Sequence, residues 1–233
     1  MSSTENKSLP CHNTLTKILR EVQKQANGGF GFHMWATIVD RDGIVRAVTY
    51  SGEDRHSQWP GSRIISAQKA NTANAFSLPG FALSTANLYA ATQPRGSLFG
   101  LQHSNPVNPH AVYGGDWTGR GTLIDSMIGY PIGGVNVFGG GLALYAKQPC
   151  GAKELIGALG VSGDSSCADH NICWKMRSLL ELDYVPAGIG YYDNIVNDFC
   201  DDTIFESGWG HPVTSSEAEV IAREFVDNYP VRS

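Results

Sequence analysis

A hairpin signal constrains the fold of this chain more than any other feature of its sequence. Two runs rich in β-branched and aromatic residues, Trp35–Asp40 and Ile44–Tyr50, flank the turn Arg41-Asp42-Gly43. An Asp-Gly pair tolerates the positive φ angles of a tight turn, so the pattern predicts an antiparallel hairpin. Such a hairpin must bury a face against another layer of secondary structure.

Helices and a further strand surround the hairpin in the sequence. Apolar residues at helical spacing predict helices over residues 14–26, 62–77, 84–91 and 165–181. The segment Thr214-Ser-Ser-Glu217 matches a capping box that opens a final helix. The near-continuous apolar run Glu154–Val161 is typical of a strand buried on both faces. Because regular βαβ alternation is missing, this order predicts an α+β domain with a mainly antiparallel sheet.

Composition limits the partners of the chain. Lys and Arg number 17 against 22 Asp and Glu, which gives a formal net charge of −5. Nucleic acid is not an expected partner, because phosphate binding needs a concentrated basic face. No apolar run approaches the ~20 residues of a membrane span, so no membrane contact is expected either. The polar start and the five widely spaced cysteines predict a cytoplasmic protein with reduced thiols.

Two stretches depart from a compact domain pattern. Residues 103–136 are irregular and rich in Pro and Gly, and a loop of this length is more often functional or interface-forming than idle. The tail 184–233 is aromatic and acidic. Residues 1–12 are predicted to be a disordered lead-in.

Five motifs occur in a characteristic order along the chain. They are Ile38-Val-Asp-Arg-Asp-Gly43, Lys69-Ala-Asn-Thr-Ala73, Gln93-Pro-Arg-Gly-Ser-Leu-Phe-Gly-Leu-Gln102, Phe138-Gly-Gly-Gly-Leu142 and Leu155-Ile-Gly-Ala-Leu-Gly-Val-Ser-Gly163. Together they resemble the GlcG/HbpS-like family, which includes haem-binding HbpS proteins and the C-terminal domain of PduO-type corrinoid adenosyltransferases. The resemblance covers roughly residues 30–182.

The resemblance implies a profilin-like, five-stranded antiparallel sheet flanked by helices and assembled as dimers or larger oligomers. On this basis residues 13–183 form the family domain, with an insertion at about 103–136. Residues 184–233 form a C-terminal extension that packs on the domain. The insertion and the extension fall at positions in the family domain where they can cover a pocket.

The resemblance also implies haem or another tetrapyrrole as ligand. Thr72 matches the threonine of the Lys-Ala-x-Thr-Ala motif, a position associated with haem contact, and Lys69 shares its helical face. A packing threonine bonded to its own backbone, beside a snorkelling lysine, explains the pair equally well.

Glycines mark a second candidate binding element. Gly139, Gly140 and Gly141 leave backbone N–H groups free to face a carboxylate or phosphate. A tight bend between two short strands over Val135–Ala146 is the alternative. The nearby Gly160–Asp164 segment is predicted to be a strand-to-helix turn.

Polar residues after the hairpin are candidates for catalysis. Glu53 and His56 could act as a general acid/base pair or belong to a His/carboxylate metal site. His103, at the entrance to the insertion, is the next candidate. Arg55 and Lys69 could hold an anionic or enolisable substrate.

Three functional hypotheses follow from these residues. The first is a small-molecule-binding protein, with haem as the implied ligand, whose pocket lies between sheet and helices. The second is an enzyme that performs lyase- or isomerase-type chemistry on a small anionic substrate. The third is a structural protein in which aromatic residues of the insertion and the tail build a homo-oligomer interface, although the same residues fit a substrate lid equally well. These residues are Trp117, Tyr130, Tyr191, Tyr192, Phe205 and Trp209.

Overall fold

A computed structural model of the protein describes residues 8–200, 204–205 and 208–233. Most of the expected lead-in 1–12 therefore lies outside the described residues. The first helix already begins at His12, two residues earlier than its apolar pattern suggested.

The predicted hairpin is confirmed. Strands β1 (Trp35–Asp40) and β2 (Val45–Tyr50) pair in antiparallel fashion, and Gly43 in the turn has a φ of +76°. Strands β3 (Gly141–Lys147) and β4 (Lys153–Ser162) form a second antiparallel pair. Because β4 also pairs with β1, the sheet order is β2-β1-β4-β3.

Eight helices accompany the sheet in the described part of the chain. They are α1 (His12–Gln23), α2 (Ser62–Phe76), α3 (Tyr89–Thr92), α4 (Leu101–Ser104), α5 (Pro109–Tyr113), α6 (Ser166–Leu179), α7 (Ser216–Arg223) and α8 (Phe225–Asn228). Short 3-10 turns occur at Ala86–Leu88 and Trp117–Gly119, and the two-residue strands β5 (Phe199–Cys200) and β6 (Ile204–Phe205) pair with each other.

Local sequence patterns predicted some helices better than others. The helix expected over 84–91 is instead a 3-10 turn followed by the single turn of α3. The capping residue of α7 is Ser215, whose hydroxyl accepts the N–H of Ala218 at 3.0 Å. Two strands were expected around the three glycines, but only Gly141 onward is extended, because Gly139 donates its N–H to a side chain instead of a ladder.

The sheet has four strands in the described residues, so the five-stranded expectation is wrong. Both edges are covered by isolated bridges, one beside β3 and two beside β2, rather than by a strand. Beside β3, the N–H of Tyr145 donates to the carbonyl of Leu182 at 2.9 Å, and Pro186 follows soon after. Beside β2, the N–H of Val45 donates to the carbonyl of Tyr130 at 3.1 Å, directly before Pro131. Proline has no N–H to donate, so the bridges do not extend into a ladder.

The sheet lies between two helical layers. Along β1, Trp35 and Val39 pack with the alanines of α2, whereas Ala36 and Ile38 belong to the core shared with α1 and α6. This alternation follows from the two-residue period of a strand. Each face of the sheet therefore has its own apolar core.

Helix α2 lies unusually close to the sheet. An added Cβ on Gly160 would come within 1.9 Å of the carbonyl oxygen of Ser66, and one on Gly141 within 2.6 Å of the carbonyl oxygen of Lys69. The facing side of α2 carries small residues such as Ala70. Strand glycines and helix alanines together let the two backbones touch.

The C-terminal extension contributes side chains to the opposite layer. Phe225 stacks on Trp174 of α6, with ring centroids 5.4 Å apart and planes 1° from parallel. Arg177 of α6 is buried and bonds both carboxylate oxygens of Asp193 at 2.7 Å. Removal of one partner from such a pair would leave an uncompensated buried charge.

Substitution of Gly160 tests the close approach of α2. Gly160→Ala should lower the free energy of unfolding by about 3 kcal/mol, because the new methyl group meets backbone rather than a movable side chain. Chemical denaturation measures this change. The matched control is Gly61→Ala at the start of α2, where nothing lies within 4 Å and φ is −63°. Equal stability of both variants would contradict the proposed packing.

Candidate functional site

Two clefts flank the loop 51–61 that follows the hairpin. The first, which we call the Arg cleft, has a volume of about 260 Å³ and is lined by Trp35, Arg55, His56, Pro60, Arg63, Trp117 and Arg120. The second, which we call the Ser166 cleft, has a volume of about 200 Å³ and is lined by Trp59, Ser62, Ile65, Lys69, Phe138, Ser162, Asp164, Ser166 and Asp169. The loop therefore contributes walls to both clefts.

The insertion forms one side of the Arg cleft because a buried ion pair holds it to α2. Arg63 donates its Nε–H to Asp125 at 2.8 Å and an Nη1–H to the carbonyl of Val112 at 2.7 Å. Asp125 also accepts the N–H of Met127 at 2.9 Å. The charge of Arg63 is thus neutralised within the protein, and its role in the cleft is to fix the wall.

Two other arginines give the Arg cleft its positive charge. The guanidinium of Arg55 lies 4.3 Å from the ring centroid of Trp117, which is a cation–π distance. Arg55 is also near Asp116, whose pKa is lowered mainly by the backbone N–H of Thr118 and further by the charge of Arg55. The Nε atom of Arg120 is buried and has no hydrogen-bond partner in the described part of the chain. A buried donor without an acceptor is costly, so an anion at Arg120 would be favourable.

The floor of the Ser166 cleft is a buried ion pair between α2 and α6. The ammonium of Lys69 lies 2.6 Å from Asp169 Oδ2 and 3.0 Å from the carbonyl of Val161. Asp169 Oδ1 accepts the N–H of Asp164 at 2.9 Å. Burial raises the pKa of Asp169 to about 6, and the nearby Lys69 charge opposes this shift.

The three glycines serve packing on the same side of the protein. Gly139 donates its N–H to Ser166 Oγ at 2.7 Å, and Gly141 donates to Thr85 Oγ1 at 2.9 Å. Gly140 has a φ of +106°, and a Cβ there would meet the carbonyl of Val161 at 2.5 Å. A tight bend thus accounts for these glycines, and the N–H groups of Gly139 and Gly141 are already used.

A serine–histidine pair lies at the edge of the Ser166 cleft. Ser166 Oγ, at the first residue of α6, is 2.8 Å from Nε2 of His211 in the extension. His211 Nδ1 is 2.7 Å from the carbonyl oxygen of Pro212. Because a carbonyl only accepts, Nδ1 carries the proton and Nε2 is the acceptor for the serine hydroxyl. Burial lowers the pKa of His211 to about 4, so the ring is neutral at pH 7.

The residues predicted from sequence fall into separate places. Arg55 and His56 line the Arg cleft, and Lys69 lines the Ser166 cleft. Glu53 and His103 are exposed and line neither cleft. Within the described ranges, no group of three or more His, Cys, Asp or Glu residues is placed to hold a metal ion.

Thr72 is fully buried and its hydroxyl is already bonded. It donates to the carbonyl of Gln68 at 2.8 Å and accepts the N–H of Asn136 at 3.0 Å. The structure therefore places this threonine as a packing residue that ties the segment before β3 to α2.

Sequence patterns do not single out Ser166, His211 or Arg120. Ser166 and His211 are 45 residues apart, and His211 lies in the extension without a recognisable motif. Trp117 was predicted to be an interface anchor or part of a substrate lid. The one available signal was the predicted start of a helix near Ser165, which places polar groups beside the end of a central strand.

Comparison with known proteins identifies the family. Residues 12–176 match the family described as haem-degrading protein HbpS-like, so the chain belongs to the HbpS-like family. The resemblance seen in the five motifs is thereby confirmed, and the match begins earlier than the motifs do, because it includes α1.

Several solved structures are similar to the chain at low identity. PduOC in complex with heme is 24% identical with a TM-score of 0.48, covering 73% of this chain and 94% of that chain. Protein ORFY of Klebsiella pneumoniae is 22% identical with a TM-score of 0.48, covering 77% and 96%. HbpS is 19% identical with a TM-score of 0.44, covering 77% and 94%. No curated protein matches the chain.

Among the described residues, no helix is both long enough and apolar enough to cross a membrane.

Breaking the pair of Lys69 and Asp169 should destabilise the protein strongly. Lys69→Met leaves a buried carboxylate without its counter-charge, so we expect the free energy of unfolding at pH 7 to fall by about 3–5 kcal/mol. Thermal or urea denaturation measures the loss. Arg223→Ala, which breaks the exposed pair with Glu219, is the control and should cost less than about 0.5 kcal/mol. A double variant, Lys69→Met with Asp169→Leu, should recover part of the loss.

Burial of neutral His211 should make the protein less stable in acid. Between pH 6.5 and about 4, His211 binds a proton in the unfolded chain but stays neutral in the folded protein. The free energy of unfolding therefore falls as the pH falls through this window. His211 alone contributes up to about 3 kcal/mol to this loss. Urea denaturation at stepped pH should give a shallower dependence for His211→Gln than for the wild type. The exposed His103→Gln variant should follow the wild type, and a His211→Gln curve parallel to it would contradict the assignment.

Proposed function

We propose that the protein binds haem in the Arg cleft. The proposal is carried by the buried Nε of Arg120, which has no hydrogen-bond partner among the described residues. Its cleft also holds Arg55, His56 and two tryptophans. The family to which the chain belongs is described as haem-degrading, which makes haem the ligand to test first.

The chemistry of the lining fits a flat, dianionic aromatic molecule. Arginines pair with carboxylates through two parallel hydrogen bonds, so Arg55 and Arg120 would hold the propionates. The ring of Trp117, which is 57% exposed, supplies aromatic surface for stacking. The exposed imidazole of His56 would ligate the iron. Histidine is the residue that holds the haem iron in globins and peroxidases. Haem supplies redox chemistry at its iron when it is bound.

The size of the cleft limits how the ligand is held. A volume of about 260 Å³ is slightly below the 300–1,000 Å³ of typical small-molecule pockets. We therefore expect the cleft to grip the propionate edge and one face of the macrocycle, with the rest outside the cleft. Thr72 is not part of this proposal, since both functions of its hydroxyl are satisfied.

The acid/base hypothesis has less support from the same cleft. Of the three residues predicted for proton transfer, only His56 lines it, and Glu53 and His103 lie elsewhere on the surface. Assembly into a homo-oligomer through aromatic residues stays a prediction. In such an assembly the side chain of Trp117, which is 57% exposed, would be buried in the interface.

A haem titration tests the proposal. The wild type should shift the Soret band of added haem, and the shift should saturate at about one haem per chain. Arg120→Gln should weaken binding about tenfold or more, because it removes a charge-assisted hydrogen bond. His56→Ala should change the position of the Soret band, since it removes the ligand of the iron.

The controls separate the cleft from adsorption elsewhere. His103→Ala removes an equally exposed histidine outside the cleft and should bind haem as the wild type does. Absence of a Soret shift in the wild type would overturn the proposal. Binding that is unaffected by Arg120→Gln, His56→Ala and Trp117→Ala would show that haem binds at another place.

A further inference from the structure

The Ser166 cleft contains the parts of a hydrolytic site that haem binding does not use. Gly139 donates its N–H to Ser166 Oγ, which occupies a lone pair of that oxygen and leaves the hydroxyl hydrogen for another acceptor. Nε2 of His211 lies 2.8 Å away and is that acceptor. The carbonyl of Pro212 fixes the opposite nitrogen as the protonated one. This is the arrangement of a nucleophile with its oriented general base.

We propose that Ser166 and His211 form a nucleophile–base pair that hydrolyses small carboxylic esters in the Ser166 cleft. Ser166 is half-buried and lines the cleft, whereas His211 is buried behind it. The nucleophile therefore faces the substrate, and the base is shielded from water. Neutral His211 is in the correct protonation state at pH 7, because its burial disfavours the imidazolium.

The rest of the cleft suits an ester with a short apolar part. Trp59 and Phe138 are about half exposed, at 53% and 48%, and border the cleft together with Ile65. Ser166 is the first residue of the fourteen-residue helix α6, and the N-cap Ser165 makes no side-chain bond to the first turn. The positive end of the helix therefore lies beside Ser166, where it would stabilise negative charge that develops on the ester carbonyl oxygen.

The proposed reaction balances with water as the only co-substrate. Ser166 Oγ attacks the ester carbonyl carbon while its proton passes to Nε2 of His211. The C–O bond to the alcohol then breaks, and His211 returns the proton to the departing alkoxide, which leaves an acyl-serine. A water molecule attacks the acyl carbon and gives its proton to His211, and the acid leaves as Ser166 recovers the proton.

Two features define the substrate and the rate. A cleft of about 200 Å³ admits a short acyl group rather than a long lipid chain. A neutral carbonyl, that of Pro212, orients His211 in place of the carboxylate found in full triads. The imidazolium formed during attack is therefore less stabilised, and we expect slow turnover.

A cysteine beside the histidine is not the nucleophile. Cys167 Sγ is 3.8 Å from the protonated nitrogen of His211 and is buried, at 1% exposure. Burial also raises the pKa of this thiol, so it carries no thiolate at pH 7. Its sulfur contacts the carbonyl of Pro212 at 3.3 Å.

Covalent labelling of the full-length protein tests the proposal directly. A fluorophosphonate reagent phosphonylates an activated serine, and peptide mass spectrometry locates the modified residue. We expect label on Ser166 in the wild type and slow release of p-nitrophenol from p-nitrophenyl acetate. His211→Gln should reduce both by at least tenfold.

Control variants and a haem readout distinguish loss of the nucleophile from loss of the fold. Ser104→Ala removes an exposed hydroxyl outside both clefts, so Ser166 should label as in the wild type. Ser166→Ala should lose the label but keep the Soret response to haem, so this site and the Arg cleft can fail independently. Absence of label from Ser166 in the folded wild type, or equal labelling of His211→Gln, would overturn the proposal.

Discussion

The contact between the backbone of α2 and the sheet is the constraint on which the rest of the structure depends. Gly160 and Gly141 remove the side chains that would otherwise separate the two layers. As a result the side chain of Lys69 reaches across the sheet to Asp169 at the start of α6. Both helical layers are thereby linked through one buried ion pair, and the Ser166 cleft opens directly above it.

Residues 103–136 and 184–233, which we predict to be additions to the family domain, each supply one wall of a cleft. The insertion, held to α2 by Arg63 and Asp125, brings Trp117 and Arg120 to the Arg cleft. The extension brings His211 to within hydrogen-bond distance of Ser166. Both proposed activities thus combine residues of the common domain with residues that lie in the additions, so family membership alone does not determine what this chain does.

Local patterns predicted the parts of the fold that depend on neighbouring residues. The hairpin, α2, β4 and α6 follow from turn chemistry and apolar periodicity, and they were predicted to within a few residues. The fifth strand was wrong because prolines end the pairing at both sheet edges, a tertiary outcome. Of the site, Arg55, His56 and Lys69 were named in advance, but their assignment to two different clefts was not. Lys69 and Asp169 are 100 residues apart, and no local pattern records such a pair.

The buried pair of Arg177 and Asp193 makes the chain hard to divide. Residues 12–176 match the family, and the guanidinium of Arg177, the next residue, pairs with the carboxylate of Asp193 in the extension. Trp174 is covered by Phe225 in the same way. Without the extension, Trp174 would lose the ring that covers it and Arg177 would lose its carboxylate partner. Residues beyond the family match therefore help to hold together the core of the matched segment.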